Sequence, residues 1–286
     1  MKIILIFLIP VLAFAKLNIL TTTTDLKYLV QTIGGDKVDV DSICKGTQDP
    51  HYLEAKPSYS LKANKADLMV SIGLDLEIGW LPLIIAGARN PDIINHHLVA
   101  GNFVDTIEKP IGPVSRSMGD VHPLGNPHIL LDPLNAVKVA EKIKDRLSLM
   151  DKDNEAVFSK NFADFKNLIT EKMKVWEKHS GKKVITYHST LSYFYKRFGI
   201  TNVAILEPKP GIPPSASHIL DVMKTAKEQN VQLALVENFF DPSVAERVAK
   251  EVPGMKVKPV AVSVGGADNI KTLIDLYDYL LKEIYE

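Results

Sequence analysis

The 286-residue chain has one cysteine, Cys44. A single thiol excludes an internal disulfide and a cysteine-based zinc cluster. Excess charge of either sign is missing, since 34 acidic and 34 basic residues balance. Nothing in that balance calls for nucleic acid or an anionic membrane surface as a partner. Beyond residue 15 no apolar run is long enough to span a bilayer. Also missing is any short-spaced histidine motif such as His-Glu-x-x-His. A metal centre, if present, must therefore be assembled by tertiary folding from distant residues.

What is present begins with a leader. Lys2 precedes an apolar run, and Ala13-Phe14-Ala15 has the small-x-small pattern of a cleavage site. Residues 1–15 are expected to be a signal peptide, with a mature chain that starts near Lys16, is exported and works in the periplasm. No cysteine stands at the cleavage site, so a lipid anchor there is not expected.

From Leu17 onward, strand-like runs alternate with amphipathic segments. Strands are expected at 17–22, 38–43, 67–72 and 92–95, with helices between them, one of them at 76–88. Residues 134–147 read as a helix with Asp132 as N-cap and Pro133 at N1. Val157, Phe158, Phe162, Phe165, Leu168, Ile169, Met173 and Trp176 recur at helical spacing over about 25 residues, roughly 38 Å of helix. The alternation then resumes, with strands at 183–188, 202–206, 232–236 and 256–262 and a last helix at 269–284. The fold class is therefore α/β: two lobes, each with a four-stranded mostly parallel sheet, joined by one long helix. The expected divisions are an N-terminal lobe at 16–150, a connecting helix at 151–179 and a C-terminal lobe at 180–286.

Open parallel sheets bind ligands beyond the carboxyl ends of their strands. Four metal-ligating residues are expected there, two from each lobe: His51, His128, His188 and Asp268. Imidazole and carboxylate suit zinc and manganese, and four such groups can close a tetrahedron. Each has a plainer use. His51 follows Asp-Pro and could cap a turn, His188 could be a satisfied core histidine, and Asp268 before a helix is a good N-cap. His122, in the Pro/Gly-rich loop 119–133, is a candidate auxiliary or transit ligand. His96, His97, His179 and His218 read as incidental.

These residues carry a resemblance. Asp49-Pro50-His51-Tyr52-Leu53-Glu54, Gly125-Asn126-Pro127-His128 with Leu131-Asp132-Pro133, and Tyr187-His188 with Phe194 resemble the metal-binding receptors of zinc and manganese ABC transporters, the cluster A-I solute-binding proteins. The likeness covers essentially the whole mature chain. It implies a metal in the cleft between two α/β lobes, held by His51, His128 and His188 with a carboxylate at Asp268, and delivery to a membrane permease. The aspartate of that family usually precedes aromatic residues, whereas Asn269-Ile270-Lys271 follows here. The long His/Asp-rich loop of many zinc members is also missing.

Three imidazoles favour Zn2+, with Mn2+ as the alternative, and a monomer without enzymatic activity is expected. The rival from another class is a secreted metallohydrolase with Glu207 or Glu237 as general base. A third reading is an adhesin or scaffold, whose thermal stability metal would not raise.

Overall fold

The computed structural model describes residues 16–112, 114–115, 118–119 and 121–286. The expected leader, residues 1–15, lies outside the described residues. In the first half, the strands β1 (Leu17–Thr21), β2 (Val38–Ser42), β3 (Leu68–Ser71) and β4 (His97–Val99) form a sheet of order β2-β1-β3-β4. In the second half, β5 (Lys183–Thr186), β6 (Thr201–Ile205), β7 (Leu233–Glu237) and β8 (Lys256–Val260) form one of order β6-β5-β7-β8. Every strand pair is parallel. The two orders are the same winding written twice, so the repeat expected from the element pattern is a repeat of topology. In each sheet the order reverses beside the first strand, which opens a crevice at the strand ends.

Helices α1 (Thr24–Gly34), α2 (Pro57–Asn64), α3 (Leu81–Ala88) and α4 (Asp92–Asn95) cover the first sheet, and α5 (Pro133–Met150) and α6 (Glu155–Trp176) follow. The second lobe carries α7 (Ser192–Phe198), α8 (Ala216–Glu228), α9 (Ser243–Glu251) and α10 (Leu273–Tyr285). Leu26, Leu29, Val30 and Ile33 fall on one face of α1 and are wholly buried. Each such side chain contributes roughly 1.5–3 kcal/mol. The long helix α6 has 22 residues, roughly 33 Å. It packs along α1 and α5 and buries Phe158, Phe165, Ile169, Met173 and Trp176. At its C-terminal end it meets the second lobe: Trp176 donates Nε1–H to Asp278 at 2.6 Å, and its ring lies edge-on to Tyr277. It thus joins the two lobes.

Three expectations need correction. Residues 92–95 are a helical turn, not a strand. Asn90 Oδ1 accepts from Asp92 N, and His96 N–H closes back onto the Asp92 carbonyl. The strand comes just after it and takes in His97, which pairs with Met69. The helix expected from Leu76 begins only at Leu81. The buried Glu77 accepts from Ile72 N, Gly73 N and the Thr22 hydroxyl, and so holds residues 73–80 in turns, with positive φ at Leu74 and Asp75. The last helix starts at Leu273 instead of Asn269, because a capping box of Thr272 and Asp275 sets its first turn.

The lobes meet through buried polar contacts. Asp25, at the start of α1, accepts from Val264 N at 2.8 Å. Burial pushes its carboxyl up to about 6, against the pull of that bond and of Ser263. Tyr277 donates to the Leu130 carbonyl at 2.6 Å, and Arg197 grips Asp132, the N-cap of α5, through two hydrogen bonds.

Candidate metal centre

His51, His128 and His188 converge: one ligand atom from each lies within 4.8 Å of the other two. Ring centroids stand 5.2 Å apart for His51 and His128, and 5.5 Å for each of these with His188. Distant segments supply them: the loop after β2, the turn before α5 and the first residues after β5.

A shared local device orients the first two. Asp49 Oδ1 accepts from both the backbone N–H of His51 at 2.9 Å and its Nδ1 at 2.7 Å. Asn126 Oδ1 does the same for His128, at 2.9 Å each. The intervening residue is proline both times, Pro50 and Pro127, and its fixed φ shapes the turn. An Asx-Pro-His triplet thus presents an imidazole by Nε2, with Nδ1–H spent on the Asx oxygen. The repeat is visible in the sequence, but reading each triplet as mere loop chemistry passes over its meaning. His188 uses a tertiary partner instead: Glu207 Oε2, just beyond β6, lies 2.6 Å from its Nδ1. All three rings therefore turn Nε2 inward, with the partner of Nδ1 behind, as second-shell groups do around bound metals.

Electrostatics separates His128 from His188. Burial holds His128 well below the ordinary imidazole range, and the neighbouring His51, His188 and His122 push it the same way. Burial also pulls His188 down, but the bond to Glu207 and the fields of Glu237, Glu207 and Asp49 outweigh it, so its net shift is upward. Asp49 likewise ends below the usual carboxylate value, since its bonds to His51 outweigh its burial. Glu237, the last residue of β7, is fully buried, and burial raises it to about 7 despite the nearby His188 and Thr190.

Asn126 is the main fastener. Its Nδ2 donates to Glu108 Oε2 and to the Ser189 carbonyl, both at 2.8 Å. Its own carbonyl accepts from Tyr193 at 2.8 Å. One side chain thus fixes His128 to the residue that follows His188. Asn126→Ala is expected to lower metal affinity about 10–100-fold, the usual result of losing a second-shell partner. It also strands buried groups, at a cost of about 1–3 kcal/mol in apo stability. Metal titration and thermal unfolding of the variant measure the two effects separately.

The other sequence candidates are placed as follows. Asp268 is exposed and stands outside the trio. Its loop closes on itself through Gly265 N to the Ile270 carbonyl and Ile270 N to the Ala267 carbonyl, which buries Ile270 and turns Asp268 to solvent. His122 is buried with its ring 5.2 Å from that of His51. Glu207 lies behind the Nδ1 side of His188, away from the Nε2 that a metal and its water would share. His97 bonds Ser71, His179 bonds the Trp176 carbonyl and His218 bonds the Ile205 carbonyl, all away from the trio. That Asp49, Asn126 and Glu207 hold the Nδ1 atoms of the three histidines is marked in the sequence only by the two Asx-Pro-His triplets.

Two parallel α/β lobes on a long helix, with three inward Nε2 atoms where they meet, define a class of two-lobed metal-binding proteins. Residues 19–286 match the family described as zinc-uptake complex component A, periplasmic, and the chain belongs to that family. It is 26% identical over 250 residues to the manganese ABC transporter substrate-binding lipoprotein of Streptococcus gordonii, covering 83% of this chain and 77% of the relative. It is also 26% identical over 243 residues to the high-affinity zinc uptake system protein of Bacillus subtilis strain 168, covering 83% of this chain and 76% of the relative. A zinc-bound crystal structure of a ZnuA deletion mutant superposes with a TM-score of 0.79 at 24% identity, over 95% of this chain and 99% of the other, and so shares the fold.

Proposed function

We propose that this chain captures a divalent metal through Nε2 of His51, His128 and His188, outside the cytoplasmic membrane, and passes it to the permease of an ABC transporter. The observation that carries the proposal is the tying of all three Nδ1 atoms to Asp49, Asn126 and Glu207, which leaves three oriented nitrogen ligands facing one point. The metal is cargo, held without chemistry and released to the partner. Zinc is the preferred cargo. The trio is all nitrogen, and zinc lies above manganese in intrinsic affinity for such ligands; a manganese site gains from oxygen ligands that the trio lacks. The relatives named for manganese and for zinc are equally similar to this chain, so the preference rests on the donor set. Competition between the two ions at neutral pH tests it. Zinc is expected to displace manganese present at equal concentration, and displacement of zinc by comparable manganese would reverse the assignment.

A further inference from the structure

We propose that His122 is a fourth metal ligand of this centre, reaching the ion from the arm that leads into Gly125. The inference rests on the metal-capture reading above and adds a residue to it.

The loop is built inside out. Leu124 is 57% exposed, whereas His122, two residues earlier, is 9% exposed. Apolar burial alone would select the opposite arrangement, with leucine in and imidazole out. The inward histidine faces the trio: its ring lies 5.2 Å from that of His51 at 37°, the same separation that holds His51 and His128 together.

The loop is positioned at both ends. Gly119 and Gly125 adopt φ of 80° and 107°, a region L side chains seldom enter. A Cβ at Gly119 would strike the Pro210 carbonyl of the second lobe, and one at Gly125 would sit 2.8 Å from the Ile107 carbonyl. Thr106 donates to the Leu124 carbonyl at 2.8 Å and pins the outer arm. His122 thereby sits on a loop that touches Pro210 of the second lobe and Thr106 and Ile107 of the first, with its ring beside that of His51.

The nearby carboxylates are otherwise placed. Asp49 and Glu207 hold the Nδ1 atoms of His51 and His188, Glu237 ends a buried strand, and Asp268 faces solvent. A tetrahedral ion with three imidazoles has one position left. A fourth imidazole fills it with the donor type that strengthens the bias to zinc.

X-ray absorption at the zinc edge counts imidazoles directly. The full mature chain loaded with one zinc is expected to show four, and His122→Ala to show three with the apo thermal midpoint unchanged. Zinc affinity by chelator competition should fall by about 100-fold, at or above the upper end for a lost second-shell partner. His122→Gln should behave as His122→Ala does, whereas Asp268→Ala should leave affinity and imidazole count unaltered. Three imidazoles in the wild type with no loss in His122→Ala, or a loss in Asp268→Ala instead, would overturn the assignment of His122 alone. A wild-type chain that binds no zinc would overturn the capture reading itself.

Discussion

His188→Ala is expected to reduce zinc affinity by about 100- to several-thousand-fold. A complete zinc site is worth about 10–16 kcal/mol in apparent binding free energy. One ligand of three or four accounts for roughly 3–5 kcal/mol of that, and each 1.4 kcal/mol is tenfold. His51→Ala and His128→Ala should fall in the same range. His188 has a second effect, larger than the loss of the Asp49 partner in His51→Ala because Glu207 is the more deeply buried carboxylate. Its removal takes the His188 partner from the buried Glu207, leaving the bond from Gly211 N, and removes the imidazole beside Glu237. Breaking a buried, hydrogen-bonded charge pair typically costs about 3–5 kcal/mol. The apo thermal midpoint of His188→Ala should therefore drop well below that of His51→Ala. Chelator competition and calorimetric unfolding of the three variants check the ordering. Equal apo stabilities would contradict the role given to Glu207.

Acidification should strip the metal in two stages. A ligating imidazole must be unprotonated at Nε2. His188 is shifted upward, so as pH falls it is the first to take a proton that competes with the ion. His128 is held low by burial and resists until further acidification. The slope of log affinity against pH should thus begin near one proton, around or just above the ordinary imidazole range, and steepen below it. The stability of the apo protein follows its own signs. His188, with its raised native pKa, contributes stability that is fully present below its unfolded value and is lost as pH rises through the raised one. His128, with its depressed native pKa, contributes stability present above its unfolded value and lost as pH falls below it. Metal stabilises the native state in proportion to the logarithm of its affinity when it is in excess. The gap in thermal midpoint between loaded and apo protein should accordingly shrink on acidification. A gap that stays constant between neutral pH and pH 5 would contradict the imidazole site.

Much of this was legible in the chain because the signals are local. Alternating apolar runs gave both parallel sheets, and Asp132-Pro133 marked the start of α5 correctly. His51 and His128 stand out because Asx-Pro-His is a short, self-contained turn whose geometry depends on adjacent residues. His188 could be found because it stands two residues beyond an apolar strand that ends in the crevice. What failed depends on side chains that answer distant groups. Glu77 captures the amides of Ile72 and Gly73 and delays α3, and no periodicity encodes that. Asp92–Asn95 is too short and apolar for pattern to separate a turn from a strand. Asp268 was expected as a ligand because it follows the last strand, and in the structure it is exposed and outside the trio. The loop 263–270 closes on its own backbone first, and the helix takes Thr272 as its cap. Glu207 is nineteen residues from His188, and only the pairing of β5 with β6 brings them together.

The central claim is that one ion is held by His51, His128 and His188 together. Isothermal titration of zinc into the mature chain and into the triple alanine variant at neutral pH tests it most directly, with circular dichroism confirming that both are folded. The wild type is expected to bind one equivalent tightly, and the folded triple variant to give no heat of tight binding. A folded triple variant that still binds one equivalent with wild-type affinity would show that the metal sits elsewhere.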